Sequence, residues 1–398
     1  MWQKAKNVYH LLVALLANSY FGFPGRALTV IGVTGTDGKT TTASLIYHIL
    51  TIAGKKVALI STVGAFVNGT EFDTGFHVTT PNSFAMQSYL RRARDTGVEI
   101  VVLEVTSHAL DQNRVYGIPF SIGVITNITH EHLDYHGTYE NYVKAKLKLF
   151  QLAKRQIINR DDESYRVILK DLGKAKNFVI TYGMAGADVT AKTVGAPPRN
   201  LIGEHNTYNF LAAAAVCREL GVVKETIQAA AGTFSFPKGR MEIVFDEDFT
   251  VIIDFAHTPN AFKQLLQTLK KTKRHGRLIH VFGSAGLRDK TKRPMMGEVA
   301  SEYDDIIILT AEDPRTEPVS AIINEIASGV IRVGDVPQLH KIVDRQEAIE
   351  LAISFAKKHD IVVITGKGHE KSINYGKGEI AWSDHEAVKR AISKQYEK

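Results

Sequence analysis

The stretch VIGVTGTDGKTTT, residues 30–42, holds residue types suited to phosphate chemistry. It closes a β-branched apolar run and opens a segment with helical spacing. Backbone N–H groups at a strand-to-helix junction point at an anion, and the helix dipole adds to the attraction. Gly35, Thr36, Asp37, Gly38, Lys39, Thr40 and Thr41 therefore read as a nucleotide-phosphate loop. Lys39 would reach the β/γ-phosphates of ATP, and the Thr40 hydroxyl would help hold Mg²⁺. The common spacing G-x-x-x-x-G-K-[ST] is not kept, because Val33 stands where its first glycine belongs. A plain glycine-rich turn is the competing reading. Gly-Lys-Thr-Thr-Thr in this context is too demanding a match for it.

Glu104 ends the apolar run VEIVVLE (98–104). A strand-end carboxylate holds Mg²⁺ from the other side in other phosphate-loop enzymes; alone it reads equally well as half of a salt bridge. NITHEHLDYHGTYENYVKAK (127–146) crowds His130, His132 and His136 with Glu131 and Asp134. That cluster reads as a second metal or substrate site, although its spacing matches no zinc motif. Mg²⁺ prefers oxygen ligands, so a histidine on it implies an unusual site. Lys146, taken by itself, reads as a surface lysine on a basic helix.

The elements that must position these groups alternate strand and helix. ALTVIGVTG (27–35), KKVALIST (55–62), VEIVVLEV (98–105) and FSIGVITNIT (120–129) read as buried strands, and TTTASLIYHILTIAG (40–54) as a helix. Such alternation predicts a parallel sheet covered by helices, with ligands at the carboxyl ends of the strands. A second set begins near FPKGRMEIV (236–244), with strands in TVIIDFAHT (250–258), RLIHVFGSAG (277–286), DDIIILTAEDPR (304–315) and DIVVITGKGHE (360–370). The expected fold is α/β: a short apolar N-terminal segment at 1–27, a central P-loop ATPase-like domain with a parallel-rich sheet at 28–236, and a Rossmann-like α/β domain at 237–398. The two domains are expected to face each other across a cleft.

Hydrophobic residues make up 44% and charged residues 23% of the 398, the balance of a soluble globular protein. The net charge of +7 is spread along the chain, which suits an anionic small substrate and predicts no nucleic-acid partner. Cys217 is the only cysteine, so there is no disulfide framework, and a reducing cytoplasmic setting is expected. VYHLLVALLANSYFGF (8–23) is uncharged and apolar but shorter than the ~20 residues of a membrane span. It resembles a signal-peptide core, yet the phosphate loop follows almost at once, which argues against export. It reads as a helix packed on the first domain, with peripheral membrane contact as the second reading.

The motifs GVTGTDGKTTT, TTPNS (79–83), EVTSHALDQNRV (104–115), TNITHEHLDYHGTYENYVKAK, GEHNTYN (203–209), KGRMEIV, DFAHTPNA (254–261), LRDKTKRPMMG (287–297), EDPRTEP (312–318), DR (344–345) and GKGHE (366–370) occur in this order. Together they resemble the Mur ligase family, and within it the members that form the muramoyl-tripeptide. The resemblance runs over residues 28–390. It implies ATP-driven amide formation. The D-glutamate carboxylate of UDP-N-acetylmuramoyl-dipeptide becomes an acyl phosphate, and an amino acid's amine displaces phosphate. It implies two Mg²⁺, with Thr40 and Glu104 on the first and His132 on the second. Lys146 matches a lysine that these enzymes carbamylate, turning a repelling ammonium into an oxygen ligand. Asn206 matches the adenine contact, Asp254 the ribose contact and Arg240 an inter-domain arginine near the phosphates. Thr79, Thr80, Thr106, Gln112 and Arg114 match the positions that hold the muramoyl peptide. Arg288, Glu312, Asp313, Pro314, Arg315, Gly366 and Glu370 match the amino-acid site.

Two departures stand out. Members that add diaminopimelate carry Asp-Asn-Pro-Arg where this chain has Glu312-Asp313-Pro314-Arg315. Diaminopimelate is expected here, with lysine next. The family usually has a whole uridine-binding domain before the phosphate loop, whereas residues 1–34 precede it here, fewer than the ~50 of a small domain. A partner, weak binding or a substrate without UDP would answer for that end. The alternatives to a tripeptide-forming ligase are another acid–amino-acid ligase of the family, such as a polyglutamate synthase, and a nucleotide-binding module without turnover. LDQNRV, LDYHG and GKGHE weigh against the first, and the loops of the second half against the other.

Overall fold

The computed structural model describes residues 2–72, 79–129, 131, 133–172, 179–272, 276–330 and 337–396. They divide into two compact units, Met1–Ser235 and Phe236–Lys398.

The strands of the first unit are β1 (Thr29–Thr34), β2 (Val57–Ser61), β3 (Gly64–Val67), β4 (Thr70–Phe72), β5 (Ile100–Glu104), β6 (Phe120–Ile125), β7 (Ala153–Asn159) and β8 (Val179–Tyr182). They form one sheet in the order β4-β3-β2-β5-β1-β6-β7-β8. Every pair from β2 to β8 is parallel, and only β3 and β4 run against their neighbours. Parallel strands are covered on both faces, which is why β2 and β5 read as unbroken apolar runs and are buried throughout. The chain reaches β2 and β5 on one side of β1 and β6 to β8 on the other. The crevice for a ligand therefore opens at the carboxyl end of β1.

Gly32 shows how closely the cover is fitted. A Cβ there would stand 2.7 Å from Leu149 and 2.8 Å from the Phe120 ring. Only glycine lets the helix Tyr139–Leu152 press onto the central strand at this point. The strand pattern read above omits the β3–β4 hairpin. Its signal is Asn68-Gly69, with φ of 48° and 76°, the two left-handed positions of a tight hairpin turn.

The first helix, Trp2–Phe21, lies on the helix Ser83–Asp95. Ala14, Ala17 and Asn18 are buried, and Asn18 Nδ2 donates to the Tyr116 carbonyl at 2.8 Å. Val8, Tyr9, Leu12, Leu16 and Tyr20 are exposed. Among the described residues no helix is long and apolar enough to cross a membrane.

In the second unit, β9 (Glu242–Asp246), β10 (Thr250–Asp254), β11 (Leu278–Phe282), β12 (Ile306–Leu309), β13 (Gln338–Lys341) and β14 (Ile361–Thr365) form a sheet in the order β13-β12-β11-β14-β10-β9. Only β9 is antiparallel. A separate hairpin pairs β15 (Ser372–Asn374) with β16 (Glu379–Ala381). Ile252 joins one core, and Val251 and Ile253 the other. Each such side chain contributes about 1.5–3 kcal/mol by leaving water. The loops after β10, β11, β12 and β14 gather at the carboxyl edge of this sheet.

Candidate active site

The phosphate loop is braced from below by the residues that follow β6. Thr36 N–H donates to the Asn127 carbonyl at 2.8 Å, and Asp37 N–H to Asn127 Oδ1 at 2.9 Å. Thr126 Oγ1 and Asn127 Nδ2 both donate to the Asp37 carbonyl, at 2.7 and 3.1 Å. Gly35 and Gly38 have φ of 155° and 78°. A Cβ at Gly35 would stand 1.8 Å from Thr126 Oγ1, and one at Gly38 would stand 2.2 Å from Asn209 Oδ1. The loop is thus fixed by packing as well as by backbone conformation, and it runs straight into the helix Lys39–Ile52. Lys39 Nζ donates to the Thr36 carbonyl at 2.7 Å.

Thr40 and Glu104 meet. Both are buried, and Thr40 Oγ1 lies 3.1 Å from each carboxylate oxygen. Thr62 adds its N–H at 3.0 Å and its hydroxyl at 2.9 Å to Glu104 Oε2. A hydroxyl and a carboxylate form a hard, all-oxygen donor pair beside a phosphate loop. Mg²⁺ takes one or two protein oxygens and completes its shell with phosphate and water, so the pair fits it. Among the described residues no group of three or more His, Cys, Asp or Glu could hold a metal by itself.

Lys146 is not on the surface. It is 1% exposed, on the helix Tyr139–Leu152. Its Nζ donates to the Gly35 carbonyl at 2.6 Å and lies 4.5 Å from the centre of the Tyr142 ring. Burial, and next the Lys39 ammonium, push its amine well below the usual lysine range, against the pull of Glu131 and Asp37. The Tyr142 hydroxyl shares a hydrogen bond with Thr36 Oγ1 at 3.1 Å. His130 and His132 lie outside the described residues. His136 Nε2 is hydrogen-bonded to Ser107 Oγ at 3.1 Å.

The residues assigned to the muramoyl peptide come together past β5. Thr80 Oγ1 donates to the Glu104 carbonyl at 3.1 Å and accepts the Thr106 N–H at 3.0 Å. Thr106 caps the helix Ser107–Asp111. Arg114 donates to the Thr80 carbonyl at 2.9 Å, and its Nε is buried with no hydrogen-bond partner among the described residues. Gln112 Nε2 reaches the Tyr135 hydroxyl at 3.3 Å. Thr79 is half-buried beside Thr80. Asn206 is on the helix Glu204–Glu219, which packs on the phosphate-loop helix. It accepts Asn209 Nδ2 at 3.1 Å, while Asn209 Oδ1 accepts Thr42 Oγ1 at 3.2 Å.

In the second unit, Asp254 accepts the N–H groups of Met241 and Ala256, each at 2.7 Å. Burial raises its pKa, and the neighbouring Arg240 opposes the rise. Arg240 itself lies over the Phe255 ring at 4.4 Å. The loops after β11 and β12 are tied together. Gly286 N–H donates to the Asp313 carbonyl at 2.8 Å, and Arg315 donates to the Gly286 carbonyl at 2.7 Å. A Cβ at Gly286 would stand 1.9 Å from the Pro314 carbonyl oxygen. Arg315 has φ of 53°, a conformation that costs a non-glycine residue about 1–3 kcal/mol and concentrates at functional sites. Gly366 has φ of 101°, and a Cβ on it would stand 3.0 Å from the Glu312 carboxylate. Glu312 Oε2 is buried with no hydrogen-bond partner among the described residues. Arg288 is exposed. Asp313 and Glu370 both pair with Lys367.

Thr126, Tyr142, Asn209 and Lys367 escaped the sequence reading, and Thr62 and Asn127 stood in it only as strand-end residues without a role. Thr126-Asn127 follows a buried apolar strand directly, and that was the available signal. Asn209 follows Asn206 by three residues on one helix face.

Residues 33–217 match the model of the Mur ligase middle domain, and residues 239–368 that of the Mur ligase glutamate ligase domain. The UDP-N-acetylmuramoyl-L-alanyl-D-glutamate–2,6-diaminopimelate ligase 1 of Clostridium acetobutylicum is 36% identical over 96% of this chain and 82% of its own length. The corresponding ligase of Aquifex aeolicus is 39% identical over 94% and 80%. A solved structure of a ligase of that name superposes with a TM-score of 0.62 at 32% identity, covering 93% of this chain and 79% of its own. The bifunctional folylpolyglutamate synthase/dihydrofolate synthase of Yersinia pestis shares the fold, with a TM-score of 0.72 at 19% identity over 99% and 98% of the two chains.

Proposed function

The chain belongs to the Mur ligase family, and on that premise we propose that it adds meso-diaminopimelate to UDP-N-acetylmuramoyl-L-alanyl-D-glutamate at the expense of ATP. This is a step of peptidoglycan precursor synthesis. The observation that supports the chemistry is the crowding of Lys39, Thr40, Glu104 and buried Lys146 around one phosphate loop.

The substrate's D-glutamate carboxylate attacks the γ-phosphorus of ATP. A carbonyl–oxygen–phosphorus bond forms and ADP leaves. The amine of the amino acid then attacks the carbonyl, the carbon–nitrogen bond forms, phosphate departs, and the nitrogen gives up one proton. Both partners in the first step are anionic, so positive charge must be placed beforehand. Lys39 lies at the loop for that purpose. Thr40 and Glu104 would hold one Mg²⁺, and carbamylated Lys146 with His132 a second. The metal supplies charge neutralisation at the phosphates. Asn206 and Asp254 would take the adenine and ribose, with Arg240 near the phosphates. Thr79, Thr80, Thr106, Gln112 and Arg114 would orient the muramoyl peptide. Holding the two reactants in register supplies much of the remaining acceleration. These substrates are those of the cytoplasm, where we place the reaction.

The amino-acid site would pair Glu312 and Glu370 with ammonium, and Arg315 and Arg288 with carboxylate. Phosphate release is expected with the UDP-muramoyl-dipeptide and diaminopimelate, and lysine should serve far less well. Losing a charged contact that leaves its partner buried costs about 2–5 kcal/mol, which is tens- to thousands-fold in efficiency. Arg315→Ala should collapse that preference and spare ATP binding. Equal use of the two amino acids by the wild type would refute diaminopimelate as the substrate.

The same reading gives the exposed Val8, Tyr9, Leu12, Leu16 and Tyr20 a peripheral contact at a membrane surface. Co-sedimentation with anionic vesicles, lost in Leu12→Ser/Leu16→Ser, tests it. Equal sedimentation of the two proteins removes the membrane reading.

A further inference from the structure

The loop after β14 seats a lysine between two carboxylates. Lys367 Nζ donates to Asp313 Oδ1 at 3.0 Å and pairs with Glu370 Oε2 at 2.5 Å. The lysine side chain is fully buried, while those of Asp313 and Glu370 are 10% and 13% exposed. Asp313 Oδ1 also accepts the Asn374 N–H at 3.0 Å, which ties the loop to β15. Lys367 therefore faces only protein, and the two acidic groups it holds, in the loops of Arg315 and Gly366, keep only a small exposed edge.

The charges around it explain why a buried lysine is tolerated. Glu312, Asp313 and Glu370 bring three carboxylates to the ends of β12 and β14. Arg345 is also fully buried, but both oxygens of Asp384 occupy its guanidinium at 2.8 Å. Lys367 thus supplies the positive charge that Asp313 and Glu370 share. Removing one partner of a buried pair leaves the other uncompensated in a medium that screens poorly.

We propose that Lys367 is a positioning residue that sets amino-acid specificity: by cancelling Asp313 and fixing Glu370, it lets the site accept a far end that bears a carboxylate together with an ammonium. The inference rests on the ligase function proposed above. Diaminopimelate ends in both groups, and lysine in an ammonium alone. A free Asp313 carboxylate would repel the first and attract the second, and specificity is built from such repulsions as much as from attractions.

The test measures kcat and KM for diaminopimelate and for lysine on the full chain, by phosphate release. Lys367→Met should lower the diaminopimelate-to-lysine ratio of kcat/KM by about tenfold or more, within the range of couplings between contacting charges. The change should fall on the KM for diaminopimelate and leave the KM for ATP unmoved. Asp313→Asn leaves Lys367 facing Glu370 alone and should shift the ratio the other way. A purely structural lysine would depress both substrates alike, and an unchanged ratio in Lys367→Met overturns the proposal. If that variant shows no cooperative melting, Asp313→Asn decides: a raised ratio sustains the proposal, and an unchanged or lowered one overturns it. A wild type that turns over neither amino acid defeats the proposed function itself, and this inference with it.

Discussion

Lys146→Ala is expected to lower ligase turnover by about 10²–10³-fold while nucleotide binding stays measurable. The side chain is buried against Tyr142 with its nitrogen 2.6 Å from the Gly35 carbonyl. Burial and the Lys39 ammonium hold its pKa well below the ordinary lysine value, which raises the share of neutral amine at a given pH. Only the neutral amine has a lone pair for CO₂. In the proposed carbamylation its attack would form a nitrogen–carbon bond, release a proton and leave a carbamate with one negative charge. The product offers oxygen where an ammonium would have repelled a metal. Lowering the pH protonates the amine and reverses the addition, so activity should fall on the acid side and recover with bicarbonate in the wild type. The alanine variant should ignore bicarbonate and respond in part to acetate or propionate, which carry the missing oxygens. A lysine that merely braced Gly35 would give a loop-destabilised variant that no carboxylic acid restores. Full activity in the plain variant would remove Lys146 from the site.

The strands were legible because parallel strands are buried on both faces, which forces apolar runs such as IVVIT and IIIL into the sequence. The phosphate loop was legible because its backbone needs glycine at Gly35 and Gly38, whatever the surroundings. Lys146 was not, because KAKLK looks like a basic surface. The helical period held the answer: Tyr142, Val143, Lys146, Leu149 and Phe150 share one face, and all are buried. Lys367 left no such trace, since a lysine between two glycines has no periodicity to betray it. Its role appears only when Asp313, distant in sequence, is brought within 3.0 Å. The same holds for Asn209, whose Thr42 partner lies on another element. Periodicity reports burial, but pairing across elements is a property of the fold.

Lys39→Ala should cut ATP turnover by about 10²–10³-fold and leave the fold intact. Lys39 opens the helix Lys39–Ile52 and is only half-buried, so its removal creates no cavity. Alanine is the best helix former, and the change costs the Thr36 carbonyl one hydrogen bond, from the Lys39 ammonium at 2.7 Å. Melting should therefore move little. Chemistry should move a great deal, because Lys39 is the cation that the loop itself carries and the reaction brings a carboxylate to a triphosphate. Losing one donor aimed at developing charge costs about 10²–10³ in kcat, or roughly 2.7–4 kcal/mol. The loss should appear in kcat rather than only in the KM for ATP, since the backbone N–H groups of Gly38 to Thr40 would still face the phosphates. A second consequence follows from the loop's crowding. Lys39 is the second-largest influence lowering the Lys146 amine, after burial. Removing it should let the Lys146 pKa rise, so residual activity should need a higher pH than the wild type. Phosphate release across a pH series, with melting as the control, reads both effects. Wild-type turnover in this variant would sink the phosphate-loop assignment, and an unshifted pH profile would separate Lys39 from Lys146.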